Sequence, residues 1–132
     1  MRILASVIAD DLQVSDFGKP NILGVFNEIR ATSYPAQHDK FLAVLMVEAS
    51  ASESDEQRIV HMRVLDGDAN EIASFQSAIE VAKPSRPGVP VNMVINVEAR
   101  NVVFPAPGAY QVQVAIDESV VDVPLYVIET EE

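Results

Sequence analysis

Apolar and polar side chains alternate most regularly near the end of the chain. From Tyr110 to Ile116, apolar residues occupy every second position. This period is typical of a half-buried β-strand, because successive side chains point to opposite faces of a sheet. Pro107-Gly108 precedes the segment and residues 117–119 follow it, and both stretches have the composition of turns. The pattern predicts a terminal hairpin whose second strand covers residues 120–128.

Two residues of this hairpin carry more specific predictions. Pro124 has no backbone N–H, so its strand should lie at a sheet edge or should present that position to solvent. Tyr110 follows the proline–glycine turn, and its position resembles the tyrosine corner of immunoglobulin-like domains, in which the hydroxyl bonds back to nearby backbone. We therefore expect a structural role for Tyr110.

The same pattern predicts five strands and one ambiguous segment before the hairpin. The strands are residues 3–9, 21–29, 41–48, 58–65 and 91–99, with loops at residues 10–20 and 34–39. Residues 71–82 fit a strand that places Phe75 and Ile79 on one face, or a helix that also aligns Ile72 with them. The Asp66-Gly67 turn and the neighbouring strands favour a strand.

Together these elements predict one all-β domain over residues 1–132. About eight short strands in one unit are typical of an antiparallel two-sheet sandwich of the immunoglobulin-like kind. The sequence contains no linker, no internal repeat and no change of composition that divides it.

Composition narrows the classes of function. The chain has 132 residues, no cysteine and a net charge of −11, with 9 basic residues scattered among 20 acidic ones. Nucleic acids and anionic membranes require clustered lysine and arginine, so we expect neither as a partner. The absence of cysteine excludes thiolate chemistry and favours a reducing, cytoplasmic location. There is no glycine-rich phosphate-binding motif, and we expect no cofactor.

One turn offers a weak motif for metal binding. Asp66, Asp68 and Asn70 alternate like the first ligands of a calcium loop. Such a loop also needs glycine at its sixth position and glutamate at its twelfth, where this chain has Glu71 and Ser77. Since Asp-Gly is a common hairpin dipeptide, the motif favours a turn over a metal site.

A second acidic segment extends this alternative. Asp10, Asp11 and Asp16 would add oxygen ligands if their loop met the hairpin turn at one end of the sandwich. The simpler interpretation is a solvated loop whose aspartates bond to backbone N–H groups. A calcium- or small-ligand-binding module is therefore the alternative function.

His38 and His61 are the only imidazoles in the chain. His38 precedes Asp39 in an expected loop, and His61 should face away from the apolar stripe of its strand. A Ser-His-Asp site needs a positioned serine, but the sequence lacks the Gly-x-Ser-x-Gly motif that would place one. A hydrolase built around either histidine is a residual hypothesis. We expect no enzyme and assign no catalytic residue.

The first and third predicted strands are apolar on both faces. If they are adjacent, their outward side chains form a patch that usually marks an oligomer or partner interface. The residues concerned are Leu4, Ile8, Leu42, Val44 and Met46. The alternative is that the chain's own loops cover them.

The order of short motifs along nearly the whole chain resembles a family of small, uncharacterised bacterial proteins, a domain of unknown function. The motifs are Ala9-Asp10, Gly18, Ile22-Leu23-Gly24-Val25-Phe26, Tyr34-Pro35-Ala36, Phe41–Val47, Asp66-Gly67-Asp68, Phe104-Pro105, Pro107-Gly108-Ala109-Tyr110 and Val123-Pro124-Leu125-Tyr126-Val127. The resemblance implies an immunoglobulin-like sandwich in a bacterial cytoplasm. It implies no catalytic or binding residue. The preferred hypothesis is a non-enzymatic sandwich that acts through a protein partner or as a homo-oligomer.

Overall fold

A computed structural model describes residues 1–16 and 18–131 of the chain. In this part the regular structure consists of β-strands and one short 3-10 turn, Ala51–Glu53. The strands are β1 (Arg2–Val14), β2 (Pro20–Val25), β3 (Glu28–Ala31), β4 (Ala36–Ala49), β5 (Gln57–Leu65), β6 (Glu71–Glu80), β7 (Val91–Phe104), β8 (Gly108–Ile116) and β9 (Ser119–Glu129). The all-β prediction is confirmed, with nine strands in place of about eight.

The strands form two sheets. Sheet A has the order β2-β1-β4-β7, and sheet B has the order β3-β9-β8-β5-β6. All hydrogen-bonded neighbours are antiparallel except β3 and β9, which run parallel. The prediction of two sheets is confirmed. The prediction that all strands pair antiparallel was wrong for the β3–β9 pair.

The main core lies between the two sheets and follows from the alternation of apolar residues. Side chains of β4 and β7 face those of β5, β8 and β9, and the buried set contains no charged or polar side chain in the described residues. The largest buried side chains are Phe41, Phe104, Ile8, Leu45, Met62, Ile116 and Leu125. Residues 71–80 form an edge strand of sheet B, so the strand interpretation of that segment is confirmed.

The paired strands β4 and β7 are longer than predicted. The alternation of inward and outward side chains in β7 shifts by one residue and then continues, so the strand does not end where the regular pattern ends. Ala99 faces the core, but so do Val102 and Phe104 beyond it. The shift occurs at Asn101, which has a positive φ of 54°. Since the pairing continues on both sides of this point, residues 36–39 lie in β4, and the loop predicted for them was wrong.

The predicted strand at residues 21–29 is divided between the two sheets. The N–H of Phe26 donates to the carbonyl of Ile8 in β1 at 3.0 Å, and the N–H of Tyr126 in β9 donates to the carbonyl of Asn27 at 2.8 Å. The chain thus crosses from sheet A to sheet B within two residues. The loop predicted at residues 10–20 was also wrong in part, because β1 continues to Val14 and pairs with β2.

The terminal hairpin has the predicted strands and the predicted tyrosine contact. The hydroxyl of Tyr110 donates to the carbonyl of Ala106 at 2.6 Å, and the ring packs edge-on against Phe104 with centroids 5.0 Å apart. Pro124 lies opposite Gln111 in β8, whereas β3 pairs with β9 only from Tyr126 onward. Pro124 is exposed on a stretch where β9 has a single neighbour, as its missing N–H requires.

Candidate functional site

Residues 66–70 form the turn between β5 and β6. Asp66 Oδ1 accepts hydrogen bonds from the backbone N–H groups of Asp68 and Asn70, at 2.9 and 2.8 Å. These bonds, the one from Asn70 first, hold the pKa of the Asp66 carboxyl below its ordinary value. Ala69 adopts a positive φ of 62° within the turn. The hairpin prediction is confirmed, and the Asp66 carboxylate already accepts hydrogen bonds from backbone N–H groups of the turn.

The second acidic segment lies mainly on β1. Asp10 packs over Gly24, which has a φ of +68°, and a Cβ at that glycine would lie 2.3 Å from Asp10 Oδ2. Asp11 Oδ1 accepts a hydrogen bond from the N–H of Leu12 at 2.8 Å. Asp16 is exposed beyond the end of β1. Over residues 1–16 and 18–131, no three His, Asp or Glu side chains are grouped closely enough to hold a metal ion.

The two histidines lie on different sheets. His38 lies on β4, so its predicted loop position was wrong. Its half-buried ring has centroid distances of 5.8 Å to Phe26 and 5.9 Å to Phe41. Together with residues of β1, β2 and β3 it lines a hollow of about 380 Å³. His61 is exposed on β5 between buried Val60 and Met62, as predicted.

The outward face of sheet A contains a second apolar cluster. β1 and β4 are adjacent, as the patch hypothesis required, and their outward side chains pair in rows, with Val7 opposite Val44 and Ala9 opposite Leu42. Ala9, Leu42 and Val44 are buried. Their cover comes from three strands and consists of Val7, Leu12, Ile22 and Val94. The chain therefore covers part of this face with its own β1–β2 hairpin.

Several large apolar side chains of this sheet stay open to solvent, among them Leu4, Val25 and Met46. These three are 51%, 59% and 44% exposed. Met46 pairs with Ala5 next to the bulge in β1 that contains Leu4, and Val25 pairs with Ala9 on the other side of the buried cluster. We call the set of exposed and buried residues the outer patch: Leu4, Val25, Leu42, Val44 and Met46. Ile8, which was predicted to belong to it, faces the main core instead.

Charged residues beside the outer patch are paired with one another. Arg2 bonds to Glu48 at 3.1 Å, and Glu98 bonds to both Lys40 at 3.6 Å and Arg100 at 2.7 Å. These three cations and two anions sum to +1, and Asp10 and Asp11, beside Gly24 and Leu23, bring the border to −1 in a chain whose net charge is −11. Most of the acidity of the protein therefore lies elsewhere on its surface.

The outward face of sheet B is polar by contrast. A row of polar side chains crosses four strands: Arg63 Nε lies 4.0 Å from Glu71 Oε1, Arg63 donates to Gln113, and Gln113 Nε2 donates to Asp122 Oδ1 at 3.2 Å. The alternating glutamines of β8 indicated that this face is polar. The sequence did not reveal the partners, because the order of strands in the sheet was not known.

Comparison with known proteins places the chain in a family. The family model described as a family of unknown function, DUF6941, matches residues 4–128. The chain belongs to this family. The resemblance found in the sequence is thereby confirmed. A comparison with curated proteins finds no match.

Among solved structures, the chain is similar to part of a β-glucuronidase from glycoside hydrolase family 2, with a TM-score of 0.41 and 16% sequence identity. The match covers 71% of this chain and 10% of that chain, so this DUF6941 chain corresponds to a small fraction of the enzyme's length. Among the described residues, the structure contains no helix of the length and apolar character that a membrane span requires.

Proposed function

We propose that this DUF6941 protein is a non-enzymatic, cytoplasmic β-sandwich of the immunoglobulin-like kind that acts through protein contacts. The first of these contacts is self-association through the outer patch. The observation that carries the proposal is that Leu4, Val25 and Met46 are exposed around a buried apolar cluster on the outward face of a sheet. Contiguous exposed apolar surface is unusual on a soluble monomer and marks an interface.

Charge favours a second copy of the chain as the occupant. Two molecules that each carry a charge of −11 repel one another over most of their surfaces. This repulsion is weak at the outer patch, because the bordering cations Arg2, Lys40 and Arg100 offset most of the nearby carboxylates. A two-fold contact between two such faces brings together paired charges and apolar side chains.

The immunoglobulin-like assignment is supported by the tyrosine contact. The bond from the Tyr110 hydroxyl to the Ala106 carbonyl has the geometry of a tyrosine corner next to the turn before β8. The parallel β3–β9 pair is an addition to the antiparallel pattern.

The mass of the protein in solution tests the self-association. Size-exclusion chromatography with light scattering should give at least twice the chain mass of 14.4 kDa. Met46→Glu should reduce the mass to that of one chain, because it buries a charge in the contact. A wild-type mass of 14.4 kDa up to about 1 mM, where even weak association is populated, would overturn the proposal.

A further inference from the structure

We propose that the free edge of β6 binds an extended segment of a partner protein, which adds to sheet B as a further strand. β6 is the last strand of sheet B, and its backbone pairs with β5 alone in the described residues. Along its other edge, the N–H and C=O groups of alternate residues have no strand partner. Such an edge is the template to which extended peptides add.

β6 is the least protected of the four sheet edges. Natural sheets protect their edges with short strands, prolines, bulges and charges. β2 has six residues and includes Pro20, β3 has four residues, and β7 is interrupted at Asn101. β6 has ten residues, and the stretch from Ile72 to Ile79 contains no charge, proline or glycine.

A hollow lies over the outward face of sheet B next to β6, on the side of its paired strand β5. It has a volume of about 540 Å³. Its walls come from β5, β6 and β8 and include His61, Arg63, Glu71, Ser74, Gln76 and Ala115. Every second side chain of an added strand points toward this face, next to Ser74 and Gln76. Residues 91–97 of β7 are also uncharged and lie close to β6 at this side of the sandwich, so an added strand pairs along the part of β6 that β7 leaves open.

The charges of β6 define the chemistry of the partner. Its only charged residues are Glu71 and Glu80, one at each end. On its paired edge, β6 faces an arginine at one end, where Arg63 Nε lies 4.0 Å from Glu71, whereas Arg58 pairs with Glu53, Glu56 and Asp117. A partner segment with an uncharged centre and a basic residue near each end would place a positive charge beside both glutamates.

A second copy of β6 fits this edge less well. The antiparallel alignment that pairs all ten residues of two β6 strands places Glu71 of each copy opposite Glu80 of the other. Like charges opposite one another destabilise strand pairing. The free edge therefore favours a different protein over a second copy.

A synthetic peptide with the sequence of residues 57–65, blocked at both ends, is the probe, because this is the strand that the chain itself pairs with β6. It is titrated into ¹⁵N-labelled full-length protein. We expect amide shifts in β6 that saturate, and binding roughly fivefold weaker when both arginines of the peptide are replaced by glutamate.

Backbone methylation separates strand addition from side-chain binding. Two peptides carry N-methyl groups on alternate residues in opposite phases, and only the phase that faces β6 should lose binding. Ala78→Lys, on the exposed side of β6, should weaken binding of the basic peptide, whereas Val120→Lys on β9 should not. Circular dichroism confirms that both variants are folded.

Four results would overturn the proposal. They are no binding by folded protein at about 1 mM peptide, shifts outside β5 and β6, equal loss of binding for the two methylated phases, or concentration-dependent shifts of β6 without peptide, which indicate a second copy at this edge. Self-association through the outer patch is measured separately, so either proposal can fail alone.

Discussion

The outward faces of the two sheets differ in polarity, although both sheets belong to one sandwich and their strands alternate with the same period. On sheet A, outward positions of β1 and β4 hold Ala9, Leu42 and Val44, which are buried by side chains of the same sheet. On sheet B, outward positions of β5, β8 and β9 hold Arg63, Gln113 and Asp122 in one polar row. The difference shows that, in this sandwich, a strand with apolar residues on both faces is a strand whose outward face is also covered.

Exposed apolar residues occur on sheet B as well, but most of them are separated. Ile59, Val120, Tyr126 and Ile128 are exposed. Tyr126 and Ile128 lie on one face of β9, and the neighbours of all four in the adjacent strands are small or polar. Single exposed apolar residues are ordinary on soluble proteins, whereas a contiguous set is not. The two outward faces thus differ in how their apolar residues are grouped rather than in whether they have any. Substitutions at corresponding positions on the two sheets can test this difference.

The largest effect is expected at the buried part of the outer patch. Leu42→Ala should lower the free energy of unfolding by about 2 kcal/mol, near the lower limit for buried leucines, because the cluster is small and lies at the surface. The matched change on the sheet B face, His61→Ala, should alter it by less than about 0.5 kcal/mol. Urea unfolding of both variants measures the difference, and equal losses would contradict the contrast between the faces.

Tyr110→Phe should have the next largest effect. Removing the hydroxyl leaves the Ala106 carbonyl without its donor but keeps the ring against Phe104. We expect a loss of about 1 kcal/mol in the free energy of unfolding. An unchanged value in thermal or urea unfolding would refute a structural role for the tyrosine contact.

The polar row of sheet B should contribute little. Arg63 is about half exposed, so water screens its contacts with Glu71 and Gln113. Arg63→Ala should therefore cost no more than about 0.5 kcal/mol, as measured by urea unfolding. A loss as large as that of Leu42→Ala would show that the polar face stabilises the sandwich as much as the apolar one.

The smallest effect is a dependence on pH at the turn beside this row. Because the amide hydrogen bonds lower the pKa of Asp66 in the folded state, its contribution is present above the unfolded pKa and is lost as pH falls through the folded pKa. The stability difference between wild type and Asp66→Asn should therefore shrink below about pH 4. Asp68→Asn serves as the control in the same urea titrations, and a difference that does not change with pH would count against the turn bonds.

Much of the fold follows from the sequence, and the exceptions have physical causes. Strands with strict alternation, such as β5 and β8, and the Asp66-Gly67 turn were predicted correctly, because local chemistry determines them. The extension of β1 through Asp10 and Asp11 was missed, since two adjacent aspartates resemble a loop unless the pairing with β2 is known.

The parts of the candidate site that were missed depend on contacts between distant residues. The change of alternation at Asn101 arises from its backbone conformation, which asparagine permits but does not require. The inward position of Ile8 and the place of Val25 in the outer patch depend on which residues pair across strands, and composition does not determine register.

The comparison of Val25 with Val120 tests the central claim most directly. The two valines are 59% and 57% exposed, and they lie on the outward faces of sheet A and sheet B. In sedimentation velocity at one protein concentration, Val25→Glu should convert the associated species to a single chain, whereas Val120→Glu should sediment like wild type. Equal behaviour of the two variants, or dissociation by Val120→Glu alone, would contradict the assignment of self-association to the outer patch.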